Sequence, residues 1–160
     1  MNLVVKKYGG TSVASIAKIS KIAENLIDEY NSKRKLVVVL SAMGNSTDKL
    51  VNLSSRVSKN PNTRDFDMLL SSGEQVSVSL LSMILNERGI AAKSYTGWQA
   101  GIKTNIDYSN ARILSIDTKR IKADLKKGFV VVVAGFQGIN NRGDITTLGR
   151  GGSDTTAVAL

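Results

Sequence analysis

The sequence contains no cysteine and no histidine. The first absence excludes disulfides and thiolate chemistry. The second removes His-based triads, His-ligated zinc and the commonest general base. Whatever chemistry the chain performs must run on Lys, Arg, Asp, Glu, hydroxyls and backbone amides. Proline occurs once, and 42% hydrophobic with 22% charged residues is ordinary globular usage rather than disorder. No apolar run approaches the roughly 18 residues of a membrane span. The opening Met1-Asn2-Leu3-Val4-Val5-Lys6 is too short for a signal peptide. A soluble cytoplasmic protein is the expectation.

Acidic residues are the minority charge: 13 Asp and Glu face 22 Lys and Arg, a net +9. Such an excess suits either a nucleic-acid surface or a protein that handles small anions. Lys18, Lys21, Lys33, Lys35, Lys119, Lys122 and Lys126 are scattered along expected helices. Scattered lysines are solvated faces more often than a binding stripe, which favours small anions and no nucleic-acid partner.

At 160 residues the chain suits one domain, residues 1–160, with no linker or repeat dividing it. Leu3 to Lys6 reads as a short buried strand running into a glycine pair. Ile16, Ile19, Ala23, Leu26 and Tyr30 recur at helical spacing, predicting a helix over Val13 to Asn31. Leu36 to Leu40 is a continuous apolar run, as in a strand covered on both faces. Together they make a βαβ unit. Helices are expected over Thr47 to Lys59 and Asp65 to Glu87, the latter stopped by Gly89, then a strand over Ala91 to Tyr95. Gly97 to Ile113 reads as a hairpin or irregular excursion. Thr118 to Lys127 reads as a helix ended by Gly128, and Phe129 to Ala134 as the most apolar strand. Turn chemistry from Gly138 to Asp144 predicts a small hairpin. The final helix, Asp154 to Leu160, makes barely two turns and stops on an apolar residue, so the chain is expected to be truncated. An open sheet edge and an unfinished helix also suggest self-association, a homo-oligomer.

Two glycine-rich loops carry the chemistry. Lys7-Tyr8-Gly9-Gly10-Thr11-Ser12 lies where a strand gives way to a helix. Gly9 and Gly10 allow close backbone approach, Thr11 or Ser12 is placed to cap the helix, and Lys7 puts a cation at the mouth. That is a phosphate cradle without the Walker spacing. A tight turn with a surface lysine is the plainer reading, and the glycine pair alone does not decide between them. Thr147-Leu148-Gly149-Arg150-Gly151-Gly152-Ser153-Asp154 repeats the logic. Arg150 offers a planar fork suited to a carboxylate, beside a helix start. Asp154 either complements the helix dipole or orients nearby lysines. Glu74 lies two helical turns after Asp67, where both would pass as ordinary solvated acids.

The first loop resembles the lysine-aromatic-Gly-Gly-Thr/Ser-Ser signature that opens aspartate kinases. Ser41-Ala42-Met43-Gly44, Ser72-Gly73-Glu74-Gln75, Thr96-Gly97-Trp98-Gln99-Ala100-Gly101, Asn110-Ala111-Arg112 and Ala134-Gly135-Phe136-Gln137-Gly138 are similar to later segments of that family, in family order. Thr146 to Asp154 is the most specific, and the resemblance covers essentially the whole chain. It implies an α/β/α three-layer sandwich of the amino acid kinase type with a mainly parallel sheet. It implies transfer of the ATP γ-phosphate, with Mg²⁺, to the side chain of L-aspartate, at the entry to lysine, threonine and methionine synthesis.

By that resemblance Arg150 holds the acceptor's α-carboxylate, Glu74 its α-amino group, and Lys7 the charge of the transferring phosphoryl group. Ser41, Thr47, Phe136, Gly152, Ser153 and Asp154 line the pocket. No metal-ligating residue is assigned within the chain. Aspartate's side chain, with a pKa near about 3.9, is already a nucleophile at neutral pH, so lack of histidine costs nothing. The expected arrangement holds the acceptor side of the site and lacks most of the ATP side, leaving the isolated chain without turnover. A glutamate 5-kinase-like enzyme and a non-catalytic amino-acid-binding module are the alternatives.

Overall fold

A computed structural model describes residues 3–160. Four parallel strands form its main sheet, in the order β1-β2-β6-β3. Strand β1 (Leu3–Tyr8) pairs with β2 (Lys35–Leu40), which pairs with β6 (Val130–Ala134), and β6 with β3 (Ala92–Tyr95). The two inner strands are buried almost throughout, as expected for apolar runs with a layer on each face. Alternation along them builds two cores. Leu36, Val38, Leu40, Val130, Val132 and Ala134 pack against helices α1 (Ile16–Asn31) and α3 (Thr63–Glu87). Val37, Val39, Val131 and Val133 pack against Ile121 and Leu125 of helix α4 (Lys119–Lys126) and Ala157 of helix α5 (Gly152–Ala159). Each fully buried Val, Leu or Ile contributes about 1.5–3 kcal/mol, and neither core works without the sheet between them. The result is the expected α/β/α sandwich.

A second, smaller sheet has the order β5-β4-β7-β8. Strands β4 (Ile102–Thr104) and β5 (Ile113–Ile116) are antiparallel, as are β7 (Gln137–Ile139) and β8 (Ile145–Thr147), while β4 and β7 run parallel. The 97–113 region is therefore a hairpin whose second strand extends to Ile116, and the 138–144 turn closes the β7–β8 hairpin. Both stop glycines act as expected: Gly89 and Gly128 have φ of 79° and 87°, the left-handed conformation that ends a helix. Asp124 on α4 accepts from the Tyr95 hydroxyl and from Lys93 Nζ at 2.9 Å, fastening α4 to the edge strand β3.

Two expectations need correcting. β1 is not a buried strand; it is the sheet edge, half exposed with one neighbour. α1 starts at Ile16 rather than Val13, because Ser15 is the residue whose hydroxyl accepts the Lys18 amide. Val13 instead tucks into the core at the end of a tight turn, its amide and that of Ser12 donating to Gly9 O. Helix α3 is apolar and long enough to cross a membrane by composition alone, but its most apolar stretch is half buried inside the fold. It is the central core helix, capped at its start by the Asn62 side chain.

Candidate active site

The carboxyl ends of β1, β2 and β6 open onto a cavity of about 710 Å³. Ligands of open α/β sheets bind beyond this edge, and the volume suits a small metabolite. Strand β1 and its turn deliver Lys7 and Gly10. The β2 end delivers Ser41, and helix α2 (Ser46–Val57) delivers Thr47. Glu74 comes from α3, Phe136 from the residues after β6, and Arg150, Gly152, Ser153 and Asp154 from the start of α5. All of these were expected from sequence, and they converge from segments almost 150 residues apart. Gly9, Thr11 and Ser12 do not line the cavity; Thr11 and Ser12 are exposed, and Ser15 replaces them as the helix cap.

Gly10 is required for a reason different from the one the glycine pair suggested. Neither Gly9 nor Gly10 has a positive φ. A Cβ on Gly10 would stand 3.0 Å from Ala42 O and 3.2 Å from Gly44 O. The turn after β1 presses on the turn after β2, with Gly44 N donating to Gly10 O at 2.9 Å. Close packing of two loops, rather than loop curvature, disfavours a side chain there.

Glu74 is not a solvated acid. It is 3% exposed; Oε1 accepts the Ala42 amide at 3.3 Å, while Oε2 is buried with no hydrogen-bond partner among the described residues. Burial pushes its pKa up from 4.5 to about 7, although its backbone hydrogen bonds oppose the shift. A buried carboxylate oxygen facing a cavity without a partner is an incomplete site: a cationic ligand group would supply the missing donor and restore the charged form.

Arg150 is exposed at the opposite loop, and among the described residues it takes part in no ion pair. Lys7 Nζ lies 3.0 Å from Asp154 Oδ1, so the cation is aimed by a carboxylate in the first turn of α5. That helix has Gly151 (φ 72°) as its N-cap and no side chain capping it; the Gly152 amide turns back to Gly149 O at 3.2 Å, and the Ser153 and Asp154 amides are left to a ligand anion.

Phe136 carries the site's backbone strain. Its φ of 70° is left-handed, rare for an aromatic residue and costing about 1–3 kcal/mol. Its amide donates to Thr156 Oγ1 at 3.1 Å and its carbonyl accepts from Leu148 N at 2.8 Å. These two bonds hold the ring at the cavity and the α5 loop against it.

Some lining residues had no motif to announce them. Asp48 and Val51 reach in from α2, a helix with no buried residue of its own, and Phe66 and Leu70 from α3. Their signal is positional: Phe66 and Leu70 lie on the face of α3 shared with Glu74, at helical spacing. Among the described residues no group of three or more Asp or Glu is placed to hold a metal ion.

The family model described as "Amino acid kinase family" matches residues 2–160. The chain is 58% identical over 160 residues to an aspartokinase of Bacillus sp. (strain MGA3), covering all of this chain and 39% of that protein. It therefore spans well under half the length of that relative. The crystal structure of aspartate kinase from Synechocystis superimposes with a TM-score of 0.83 at 47% identity, over 99% of this chain and 26% of that one. E. coli aspartokinase III, in complex with lysine and aspartate, gives 0.83 at 26% identity, over 99% of this chain and 46% of that one. Matched from its second residue to its last, the chain belongs to the amino acid kinase family.

Proposed function

We propose that the cavity binds L-aspartate and presents its side-chain carboxylate to the γ-phosphate of ATP, as part of an aspartate kinase that forms 4-phospho-aspartate. The observation that carries this reading is the unpartnered Glu74 Oε2, in the same cavity as the Arg150 guanidinium. An ammonium donating to Oε2 and a carboxylate accepting Arg150's fork are the two charges of every α-amino acid. Aspartate as the particular side chain is supported by the relatives, which carry the name aspartokinase.

The acceptor needs no base, because its carboxylate is ionised at neutral pH. The remaining requirement is alignment and positive charge around the moving phosphoryl group. Lys7, held by Asp154, and the uncapped Ser153 and Asp154 amides of α5 supply both. Mg²⁺ would arrive on the nucleotide's phosphates, with Asp154 and Asp48 as the cavity's nearby carboxylates. Lysine, threonine and methionine synthesis, in a cytoplasmic homo-oligomer, is the proposed setting.

Isothermal titration tests the reading directly. L-Aspartate is expected to bind, succinate, which lacks the ammonium, is expected not to, and Glu74→Gln should weaken aspartate by about tenfold. Equal heats from aspartate and succinate, or none from either, would reject it.

A further inference from the structure

Asp67 lies outside the cavity, yet it is 0% exposed and accepts four hydrogen bonds. Oδ2 takes the backbone amides of Ser109 and Thr147, both at 2.8 Å. Oδ1 takes the hydroxyls of the same two residues, both at 2.9 Å. A carboxylate with all its acceptor capacity spent on two segments, 42 and 80 residues away in sequence, is a clamp. Both clamped segments bear on Arg150. Thr147 ends β8, three residues before the arginine. Ser109 begins the stretch on which Gly149 rests: the position of a Cβ on Gly149 is 2.9 Å from Asn110 Oδ1 and 3.5 Å from Ser109 O. The Ala111 amide closes the bracket by donating to Thr147 O at 2.9 Å.

The clamp also explains a strained residue. Ser109 has a φ of 63°, unusual for a residue other than glycine or asparagine. It is held there by two bonds to one carboxylate. Asp67 and Glu74 are seven residues apart on α3, two turns along one face, about 10.5 Å of helix rise. One rigid helix thus bears the candidate ammonium ligand at one point and the support of the candidate carboxylate ligand at another.

We propose that Asp67 is a positioning residue: by clamping Thr147 and Ser109 it fixes the Gly149–Arg150 turn, and so sets the distance between Arg150 and Glu74 that selects an α-amino acid. The inference rests on the aspartate-binding reading above, and deepens it.

The test is a pair of double-mutant cycles on L-aspartate affinity, measured by titration of the 160-residue chain. Asp67→Asn keeps the size of the side chain and replaces an acceptor by a donor facing donors. It is expected to weaken aspartate by about tenfold. In an Arg150→Met background the same change should cost less than about twofold, because there is no guanidinium left to aim. Combined with Glu74→Gln, the losses should multiply. Ser109→Ala, which removes one donor and spares the fold, should show the same pattern at about threefold, and it carries the cycles if Asp67→Asn does not fold. Losses that multiply with Arg150→Met, or wild-type affinity in both variants, overturn the proposal.

Amide hydrogen exchange on the ligand-free chain separates this from failure of the functional reading. The amides of residues 147–152 should exchange at least about tenfold faster in the Asp67 or Ser109 variant, with β6 unchanged. Uniform acceleration would make Asp67 a stability residue only, and no acceleration would remove the clamp altogether. Either outcome overturns the proposal whether or not aspartate binds.

Discussion

Lys7 Nζ and Asp154 Oδ1 stand 3.0 Å apart, joining the end of the first strand to the first turn of the last helix. The carboxylate is largely exposed, so water screens most of the pair's attraction. Its consequence is orientation. Asp154→Asn is expected to leave the melting temperature within about 2 °C of wild type, as thermal unfolding by circular dichroism will show. Lys7→Met should abolish any binding of pyrophosphate, a probe of the phosphoryl position, while leaving aspartate affinity within about threefold.

Glu74 makes stability and binding respond to pH in opposite directions. Its pKa in the folded chain is about 7 against 4.5 for the ordinary group, so the folded state holds the proton more tightly. Below the lower value the carboxyl is protonated in both states, and ionisation adds nothing to the cost of its burial. Between the two, only the unfolded chain loses the proton, so stability falls as pH rises, and the loss levels off above about 7. The full span is roughly 3 kcal/mol for a group so deeply buried. Urea denaturation at pH 4.5 and pH 8 should show that loss in the wild type and not in Glu74→Gln. Aspartate, in contrast, should bind more tightly as pH rises through 7, with proton release seen as heats that depend on the buffer. Buffer-independent heats would mean that Glu74 does not meet the ligand's ammonium.

Gly152→Ala should destabilise the chain by about 1–3 kcal/mol in urea denaturation. The added Cβ would lie 2.8 Å from Phe136 Cδ2 and 2.9 Å from Leu148 Cβ, and neither can retreat, since Phe136 is pinned by Thr156 and Leu148. Thr156→Val tests the pin itself. It preserves the shape and strands the Phe136 amide, at a cost of about 1–3 kcal/mol.

Leu81 on α3 is wholly buried in the core shared with α1. Leu81→Ala is expected to cost about 2–5 kcal/mol in the same assay, with any aspartate binding retained below the midpoint because the cavity's walls are untouched.

The sheet and its helices were legible because each βα step announces itself by an apolar run, a periodic stretch and a glycine stop, as at Leu36–Leu40 and Gly89. The second sheet was less so. Its strands are three or four residues long, and a pattern that short has no period to detect. Thr11 and Ser12 misled because capping residues crowd the turn and only the backbone selects Ser15. Glu74 was found through the resemblance, while its burial, with the Ala42 amide donating to it, emerges only from the fold. Asp67 was seen only as a neighbour of Glu74: one aspartate that clamps two remote segments has no local signature, since both partners are distant in sequence.

The alternation along β2 has a consequence for fidelity. Leu36 to Leu40 is apolar at every position, so hydrophobicity alone would accept the strand shifted by one residue with its two faces exchanged. What that slip would spoil lies beyond the strand. Ser41 O would leave the Ser77 hydroxyl, and Ala42 N would leave Glu74, stranding a buried carboxylate entirely. The polar groups at the strand's end thus proofread the register of its apolar ones, and a chain that folded wrongly there would be recognised by its missing site before its missing core.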